Sequence, residues 1–292
     1  MLTSRKLLAL LYSLTLGLSL GVLACQRPQD ASMAVEVPVQ TTPQGMLAEL
    51  QQADVIYLGE RHDSTADHAA QLAIVQALHQ QNPNLAIAME MFQRPFQPVL
   101  DRYIAGEISE ADLVAGTEYE TRWGFPWELY APILRFAQAQ KIPVLALNAP
   151  REVVRKVARQ GLESLQPEDW TYIPPQDQID TSNAAYRQYV RQAFGGHGGH
   201  GTFNFDHFFT AQVIWDETMA ANISQFRQAN PDHTVVVLAG QGHVVYGYGI
   251  PDRVERRLGP QLQQKIVLLN PPLDAARQDK AIADVIWQSP DR

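Results

Sequence analysis

The sequence predicts an α/β fold in which a mostly parallel central sheet is covered by helices on both faces, with a smaller helical insertion or subdomain. The first observation behind this prediction is that short apolar runs recur along the chain and alternate with segments of helical spacing. The second is that these runs are continuously apolar, which is typical of strands buried on both faces. With 292 residues, the chain is long enough for one large domain of this kind.

Five apolar runs are predicted to be the strands of the sheet. They occupy residues 53–58, 84–90, 142–147, 234–239 and 265–269. Helical spacing over residues 67–79, 132–140 and 151–160 predicts helices between several of them. Because strands alternate with helices, the connections are expected to be crossovers between parallel strands.

Two regions depart from this alternation. Residues 94–130 are amphipathic and contain no run typical of a strand. Residues 161–232 contain Pro174 and Pro175, a glycine-rich turn and a long helical pattern over residues 206–227. We expect both regions to be helical insertions, the second as a small subdomain or lid.

The N-terminus has the organisation of a bacterial export signal. Arg5 and Lys6 precede an apolar run over residues 7–23, and a small residue stands directly before Cys25. A charged start, an apolar stretch and a small residue before the cut are typical of a signal peptide, and the cysteine that follows resembles a lipobox. We therefore expect residues 1–24 to be removed and Cys25 to carry lipid. The alternative is an uncleaved transmembrane anchor with an incidental cysteine.

The rest of the chain is predicted to form a tether and one domain. Residues 25–45 begin at the lipidated cysteine and are rich in Pro, Gln, Ser and Thr without periodicity, which is typical of a flexible tether. Residues 46–292 would form the α/β domain. This organisation predicts a protein of the cell envelope, lipid-anchored to the outer membrane or to the periplasmic face of the inner membrane.

Composition excludes some partners. The chain has 23 basic and 31 acidic residues and a formal net charge of −8. A negative charge argues against nucleic acid, or an anionic lipid surface, as the main partner. Since Cys25 is the one cysteine of the sequence, an exported form has no intramolecular disulfide, and its core must provide its stability.

Polar side chains follow the predicted strands at the point where each strand ends. Glu60 and His62 follow the first strand, Glu90 closes the second, Asn148 follows the third and His243 follows the fourth. Because the carboxyl ends of parallel strands meet at one edge of a sheet, where such sheets bind ligands, we expect these residues to lie together.

Two carboxylates and two imidazoles in one place are suited to metal binding or to acid/base catalysis. Glu60, His62, Glu90 and His243 are candidate catalytic or ligand-binding residues, and also candidate ligands for zinc, manganese or iron. A metal-free acid/base site is the alternative. Three of these residues also have a structural interpretation: Glu90 as a cap of the next turn, His62 as a contact at a helix start, and His243 in a tight turn beside glycine.

A second group of histidines lies in and after a glycine-rich segment. His197, His200 and His207 are secondary candidates for metal binding. The alternative is a flexible surface loop with exposed histidines. His68 and His79, on the first predicted helix, are expected to be surface or packing residues.

Aromatic side chains are concentrated in the first insertion. Trp123, Phe125 and Trp127 follow Arg122 closely, a combination that suits a flat apolar ligand with anionic groups. Ordinary packing between the insertion and the sheet explains these aromatics equally well.

Several segments together resemble the ChaN-like haem-binding uptake lipoproteins. They are residues 57–63, 88–92, 123–127, 147–150, 211–220, 239–243 and 249–251. The resemblance covers about residues 50–270 in order. It implies a parallel α/β sheet with a smaller helical domain, a role in haem or iron uptake, and haem bound by a homodimer with a tyrosine on each iron.

The resemblance leaves the haem ligand open among six tyrosines. They are Tyr119, Tyr130, Tyr186, Tyr189, Tyr246 and Tyr248.

The fold is also similar to that of erythromycin esterases and Tiki metalloproteases, where residues matching the four strand-end Glu and His residues do hydrolytic chemistry, with or without a divalent metal. The leading hypothesis is thus a haem- or iron-binding lipoprotein; the alternative is a metal-dependent hydrolase, esterase- or protease-like. A lipid-tethered protein with an inert ancestral site is a third.

Overall fold

A parallel sheet forms the centre of the structure, a computed structural model that describes residues 35–195, 204–272, 277–278 and 280–290. Within these residues, seven strands form the sheet: β2 (Val39–Gln40), β3 (Val55–Glu60), β4 (Leu85–Gln93), β5 (Val144–Asn148), β6 (Thr234–Gly240), β7 (Gln264–Leu269) and β9 (Val285–Trp287). Their order across the sheet is β2-β9-β7-β3-β6-β4-β5, and every pairing is parallel. A separate antiparallel pair joins β1 (Val35–Glu36) to β8 (Arg277–Gln278).

Ten α-helices occur in the described residues. They are α1 (Pro43–Leu50), α2 (Thr65–Gln81), α3 (Gln97–Ala105), α4 (Glu110–Gly116), α5 (Tyr119–Arg122), α6 (Ala131–Gln140), α7 (Arg151–Gln160), α8 (Ala184–Gly195), α9 (Phe205–Ala229) and α10 (Ile250–Leu258). Local sequence explains where the main ones start. The Ser64 hydroxyl caps α2 by accepting from the Asp67 amide, and the Asn204 carboxamide caps α9 in the same manner.

The helices form two layers, one on each face of the sheet. Alternate residues of β3 show the division: Ile56 packs with α1, α2 and α6, whereas Tyr57 packs with α9 and α10. Helix α7 packs on the outer side of α9, burying Val153 and Val157 against Ala211. The strands are thus buried on both faces, which explains why their sequences are continuously apolar.

The α/β prediction is confirmed, and the five predicted strands and three predicted helices are present with ends shifted by up to three residues. The sheet also contains β2 and β9, which are too short to give an apolar run. β2 lies inside the range predicted to be a tether, and Val37 beside it is buried. The predicted signal peptide, Cys25, His197 and His200 lie outside the described residues.

The two expected insertions are helical. The first contains α3, α4 and α5, and the second contains α8 and α9. Helix α9 is one of the main covering helices of the sheet, and Ala34–Arg292 group as one compact unit. Among the helices that the structure describes, none combines the length and the apolar composition that crossing a bilayer requires.

Candidate functional site

The strand-end residues come together as predicted. Glu60 is the last residue of β3 and pairs in register with Gly240, the last residue of β6. His243 ends the single helical turn that follows β6. The pairing of β4 with β5 shifts register between Met89 and Gln93, a bulge that includes Glu90.

Glu60 is the centre of the first half of the site. Its Oε1 accepts a hydrogen bond from His62 Nδ1 at 2.9 Å and another from the Tyr130 hydroxyl at 2.6 Å. Its Oε2 accepts from Gln71 Nε2 at 2.5 Å, and His68 Nδ1 lies 3.6 Å away. The carboxylate is buried, and these donors satisfy both of its oxygens.

His243 is the centre of the second half, between two carboxylates. Its Nδ1 lies 2.6 Å from Asp216 Oδ1, and its Nε2 lies 3.4 Å from Glu90 Oε1. The other oxygen of Glu90 accepts from the Gly240 amide at 2.8 Å. The second oxygen of Asp216 accepts from the Tyr186 hydroxyl at 2.6 Å.

This pairing stabilises the charged forms of both partners. Burial alone would raise the pKa of Glu90, but the charge and hydrogen bond of His243, aided by His62, outweigh it and lower the pKa to about 2. Burial would likewise lower the pKa of His243, but the charges of Glu90 and Asp216 raise it to about 10. His243 is therefore an imidazolium at neutral pH, with carboxylates at both ring nitrogens.

His62 is the imidazole that reaches open space. Its side chain is 26% exposed and its ring packs against Trp123 and Phe125, with centroids 4.8 and 5.1 Å away. Burial would lower the pKa of His62, but its hydrogen bond to Glu60 and the charges of both glutamates raise it. Nδ1 is held by Glu60, and Nε2 lies beside Gly240, where a β-carbon would be 2.8 Å away.

A cavity of about 450 Å³ opens above these residues. Its floor is polar and consists of His62, Glu90, Asn148 and His243. Aromatic side chains form much of the wall: Trp123, Phe125, Phe208 and Trp215. Arg122, Arg151 and Arg155 stand at its rim. The predicted association of aromatic residues with arginine is therefore present in space, at the strand-end residues.

The six candidate tyrosines fall into two sets. Tyr119, Tyr130 and Tyr186 are buried in the core. The Tyr130 and Tyr186 hydroxyls donate to Glu60 and Asp216, and the Tyr119 hydroxyl has no partner among the described residues. Burial and these carboxylates raise the pKa of Tyr130 and of Tyr186. The Tyr130 and Tyr186 hydroxyls thus stabilise carboxylates of the site. None of the three tyrosines lines the cavity.

The other three tyrosines form a surface group, called here the tyrosine patch. Tyr246 lies between Tyr189 and Tyr248, with ring centroids 6.0 and 5.4 Å away. All three are half-buried, and Lys280 Nζ lies 4.2 Å from the Tyr248 ring. Tyr246 has φ 57°, a left-handed conformation that non-glycine residues adopt rarely and that is often found at functional sites.

Four residues of the site were not identified from the sequence. They are Gln71 and His68 on α2, and Gln212 and Asp216 on α9. His68 was expected at the surface or in packing; it is buried beside Glu60. The sequence did contain a signal for Asp216, since it is a carboxylate within an apolar helical run. It also follows Gln212 by one helical turn, a spacing that places both side chains on one face of the helix.

A ready-made metal site is not present in the part of the chain that the structure describes. No three His, Cys, Asp or Glu side chains there have an arrangement that would hold a metal ion. The four strand-end residues meet, but in hydrogen-bonded and ionic pairs. His207, the described member of the secondary histidine group, lies in the first turn of α9.

The fold and site define a parallel α/β ligand-binding domain with its polar groups at the carboxyl edge of the sheet. A family model described as haem-binding uptake, Tiki superfamily, ChaN matches residues 46–254. The chain belongs to this family, as its sequence motifs predicted.

Solved structures and a curated relative are also similar. ChaN of Campylobacter jejuni, described as binding haem cofacially, has a TM-score of 0.65 and 23% identity over 83% of this chain and 90% of that chain. An erythromycin esterase in its open conformation has a TM-score of 0.48 and 12% identity, covering 77% of this chain and 72% of that one. RETICULATA-RELATED 5, a chloroplastic protein of Arabidopsis thaliana, is 26% identical over 90% of this chain, which spans 38% of that relative's length.

Proposed function

We propose that this protein binds haem through the tyrosine patch and takes part in haem or iron uptake, anchored in the cell envelope by lipid on Cys25. The single observation that carries the haem site is the group of three half-buried tyrosines beside Lys280. Membership of the haem-binding uptake family supports it. The anchor is supported by the signal-like sequence that ends at Cys25.

The chemistry of the patch suits ferric haem. Phenolate oxygen is an established axial ligand of haem iron, and the hydroxyls of Tyr189, Tyr246 and Tyr248 have no hydrogen bond to another described residue. Rings at 5–6 Å from one another offer an apolar surface to a porphyrin. The Lys280 ammonium is placed to pair with a phenolate or with a haem carboxylate.

The buried tyrosines suit this role less. A haem ligand must be reachable and must give up its proton, and Tyr130 and Tyr186 are buried and donate their protons to carboxylates. Raised pKa values oppose the phenolate form at both residues. Burial also raises the pKa of Tyr189, which makes it the least suited tyrosine of the patch.

A surface location also suits assembly on haem. The Campylobacter jejuni protein is described as binding haem cofacially, and two haems lie face to face when each is bound at an exposed surface. For this chain, the corresponding expectation is a homodimer that forms when haem is bound.

Hemin titration of the full chain, purified in detergent, tests the proposal. We expect a saturable Soret band, and a loss of its tyrosinate-type spectrum in Tyr246→Phe, Tyr248→Phe or Tyr189→Phe. Tyr172→Phe is the matched control, because Tyr172 is an exposed tyrosine (40%) outside the patch. No saturable Soret change at near-stoichiometric hemin, or an unchanged spectrum in all three patch variants, would refute the proposed site.

The anchor has its own test. We expect the full chain expressed in a bacterium to incorporate labelled fatty acid and to be recovered with membranes. Cys25→Ser should abolish the label, whereas Ser32→Ala, in the predicted tether, should retain it. Equal labelling of both variants would contradict lipid attachment at Cys25.

The second candidate function is hydrolysis at the strand-end site, with or without a metal. It is favoured by His62, which lines the cavity and whose Nδ1 is oriented by Glu60, since an oriented imidazole is suited to activating water. Metal analysis of the purified protein, with Glu60→Gln and His243→Gln for comparison, tests the metal-dependent form. A stoichiometric metal lost in both variants supports it, and metal content unchanged in both opposes it.

A further inference from the structure

Asn148, one of the residues that line the strand-end cavity, has a hydrogen-bond acceptor that is buried and unpaired. Asn148, which lines the cavity, is only 7% exposed, and its Nδ2 donates to the Glu90 carbonyl at 2.9 Å. Turning the amide over would place Oδ1 against that carbonyl, so its orientation is fixed. Its Oδ1 is buried without a hydrogen-bond partner among the described residues. Leaving such an atom unpaired is unfavourable, and a ligand that donates a hydrogen bond to it would remove this penalty.

The rim of the cavity has an uncommitted cation. Arg122 is paired with Glu118 and Glu152, and Arg151 donates to a backbone carbonyl. Arg155 also lines the cavity, and it makes no hydrogen bond or ion pair with another residue that the structure describes. A guanidinium in this state is suited to a carboxylate or phosphate, which it binds through two parallel hydrogen bonds.

The space between floor and rim is apolar and suits a flat group. Trp123 and Phe125 pack against His62, and Trp215 lies 6.1 Å from the His243 ring. A volume of about 450 Å³ is in the range of small-molecule pockets. The cavity therefore combines the unpaired acceptor of Asn148 and the paired charges of His243 and Glu90 with positive charge from exposed arginines.

We propose that the strand-end cavity binds a small organic acid. Its carboxylate or phosphate would pair with Arg155, a ring-sized apolar body would lie between Trp123 and Trp215, and a hydroxyl or amine would donate to Asn148 Oδ1. This binding site goes beyond the proposed haem function, since no residue of the tyrosine patch lines the cavity. It also requires no turnover, and so it is independent of the hydrolysis candidate.

The test uses 4-hydroxyphenylacetate and 4-hydroxybenzoate as probes with the full chain in detergent, followed by calorimetry and tryptophan fluorescence. We expect saturable binding of at least one probe and fluorescence quenching from the cavity tryptophans. Replacing the probe hydroxyl by methoxy, or its carboxylate by carboxamide, should weaken binding roughly tenfold in each case.

Matched variants locate the site. Arg155→Gln should weaken probe binding roughly tenfold, whereas Arg159→Gln, an equally exposed arginine one turn further along α7 and outside the cavity, should not. Tyr248→Phe should leave probe binding intact, so that failure of the haem proposal and failure of this one are distinguished.

Three outcomes would overturn the proposal. They are the absence of binding by both probes at millimolar concentration, equal weakening by the two arginine variants, and stoichiometric displacement of the probe by hemin. The last result would make the cavity part of the haem site.

Discussion

Asp216 Oδ1 lies 2.6 Å from His243 Nδ1, so a helix carboxylate fixes the orientation of an imidazole at the end of the sheet. Asp216 is fully buried, and its second oxygen accepts a hydrogen bond from the hydroxyl of Tyr186 on α8. The ring of His243 is thereby tied to the helical layer as well as to Glu90. The strand-end site depends on packing between α8, α9 and the sheet.

Asp216→Asn should lower the pKa of His243. The substitution keeps the shape of the side chain but removes one of the two negative charges that raise this pKa to about 10. An NMR titration of the imidazole nitrogens measures the change. Asp206→Asn, on the same helix but exposed and paired with Arg187, should leave the titration unaltered. An unaltered His243 titration in Asp216→Asn would contradict the assigned role.

The stabilising effect of the Glu90–His243 pair should depend on pH on both sides. The pKa of His243 is about 10 in the folded protein against an ordinary 6.5, so its contribution is complete below pH 6.5 and is lost as pH rises towards 10. The pKa of Glu90 is about 2 against an ordinary 4.5, so its contribution is complete above pH 4.5 and is lost as pH falls towards 2. The pair should therefore stabilise the folded protein most between pH 4.5 and 6.5.

Urea unfolding at a series of pH values measures this dependence. The difference in unfolding free energy between the natural protein and His243→Gln should be largest near pH 5–6 and should shrink towards pH 10. His79→Gln, which removes a half-buried histidine packed on Phe136, is the comparison variant. A His243→Gln difference that is constant from pH 6 to pH 10 would contradict the pairing.

Gly240→Ala should displace His62. A β-carbon on Gly240 would lie 2.8 Å from His62 Nε2 and 2.9 Å from Cε1, and the ring has little room because Trp123 and Phe125 pack against it. We expect a changed imidazole NMR signal for His62 and a loss of about 1–3 kcal/mol in unfolding free energy. Gly242→Ala, where a β-carbon meets nothing within 4 Å, should be near neutral; if both variants behave alike, this close approach is not the cause.

Tyr130→Phe and Tyr119→Phe each remove one buried hydroxyl, but their changes in unfolding free energy should differ in sign or size. The Tyr130 hydroxyl donates to Glu60 at 2.6 Å, so its loss should cost about 1–3 kcal/mol. The Tyr119 hydroxyl has no partner among the described residues, so its removal should be neutral or stabilising. Chemical denaturation of the two variants decides the matter, and an equal loss in both would show that packing, and not the hydrogen bond, dominates.

The sequence predicted the strand-end part of the site because a general rule of parallel sheets places such residues together. Glu60, Glu90 and His243 each follow a recognisable apolar strand, and they meet as expected. Asp216 follows no strand, and its role depends on how α9 is rotated over the sheet, which periodicity does not specify. The sequence could therefore identify the residues at the strand ends but not those that hold them from the helical layers.

Residue type also misleads when its environment is unknown. Tyr130 and Tyr186 were candidates for haem because they are tyrosines, and the structure places them behind the site as donors to carboxylates. Tyr246 and Tyr248 were equivalent to them in the sequence, and only their partial exposure sets them apart. The short strand β2 was missed for a related reason, since two residues give no measurable pattern.

The pairing of β2 with β9 has a consequence for how the sheet is completed. Within the described residues, Val39 and Gln40 pair with Ile286 and Trp287. The first strand of the sheet can therefore pair only when the last one is present. Contacts between residues so far apart in sequence are slow to form. During synthesis from the N-terminus, the edge of the sheet that β2 forms should close only after residues 285–287 have been added.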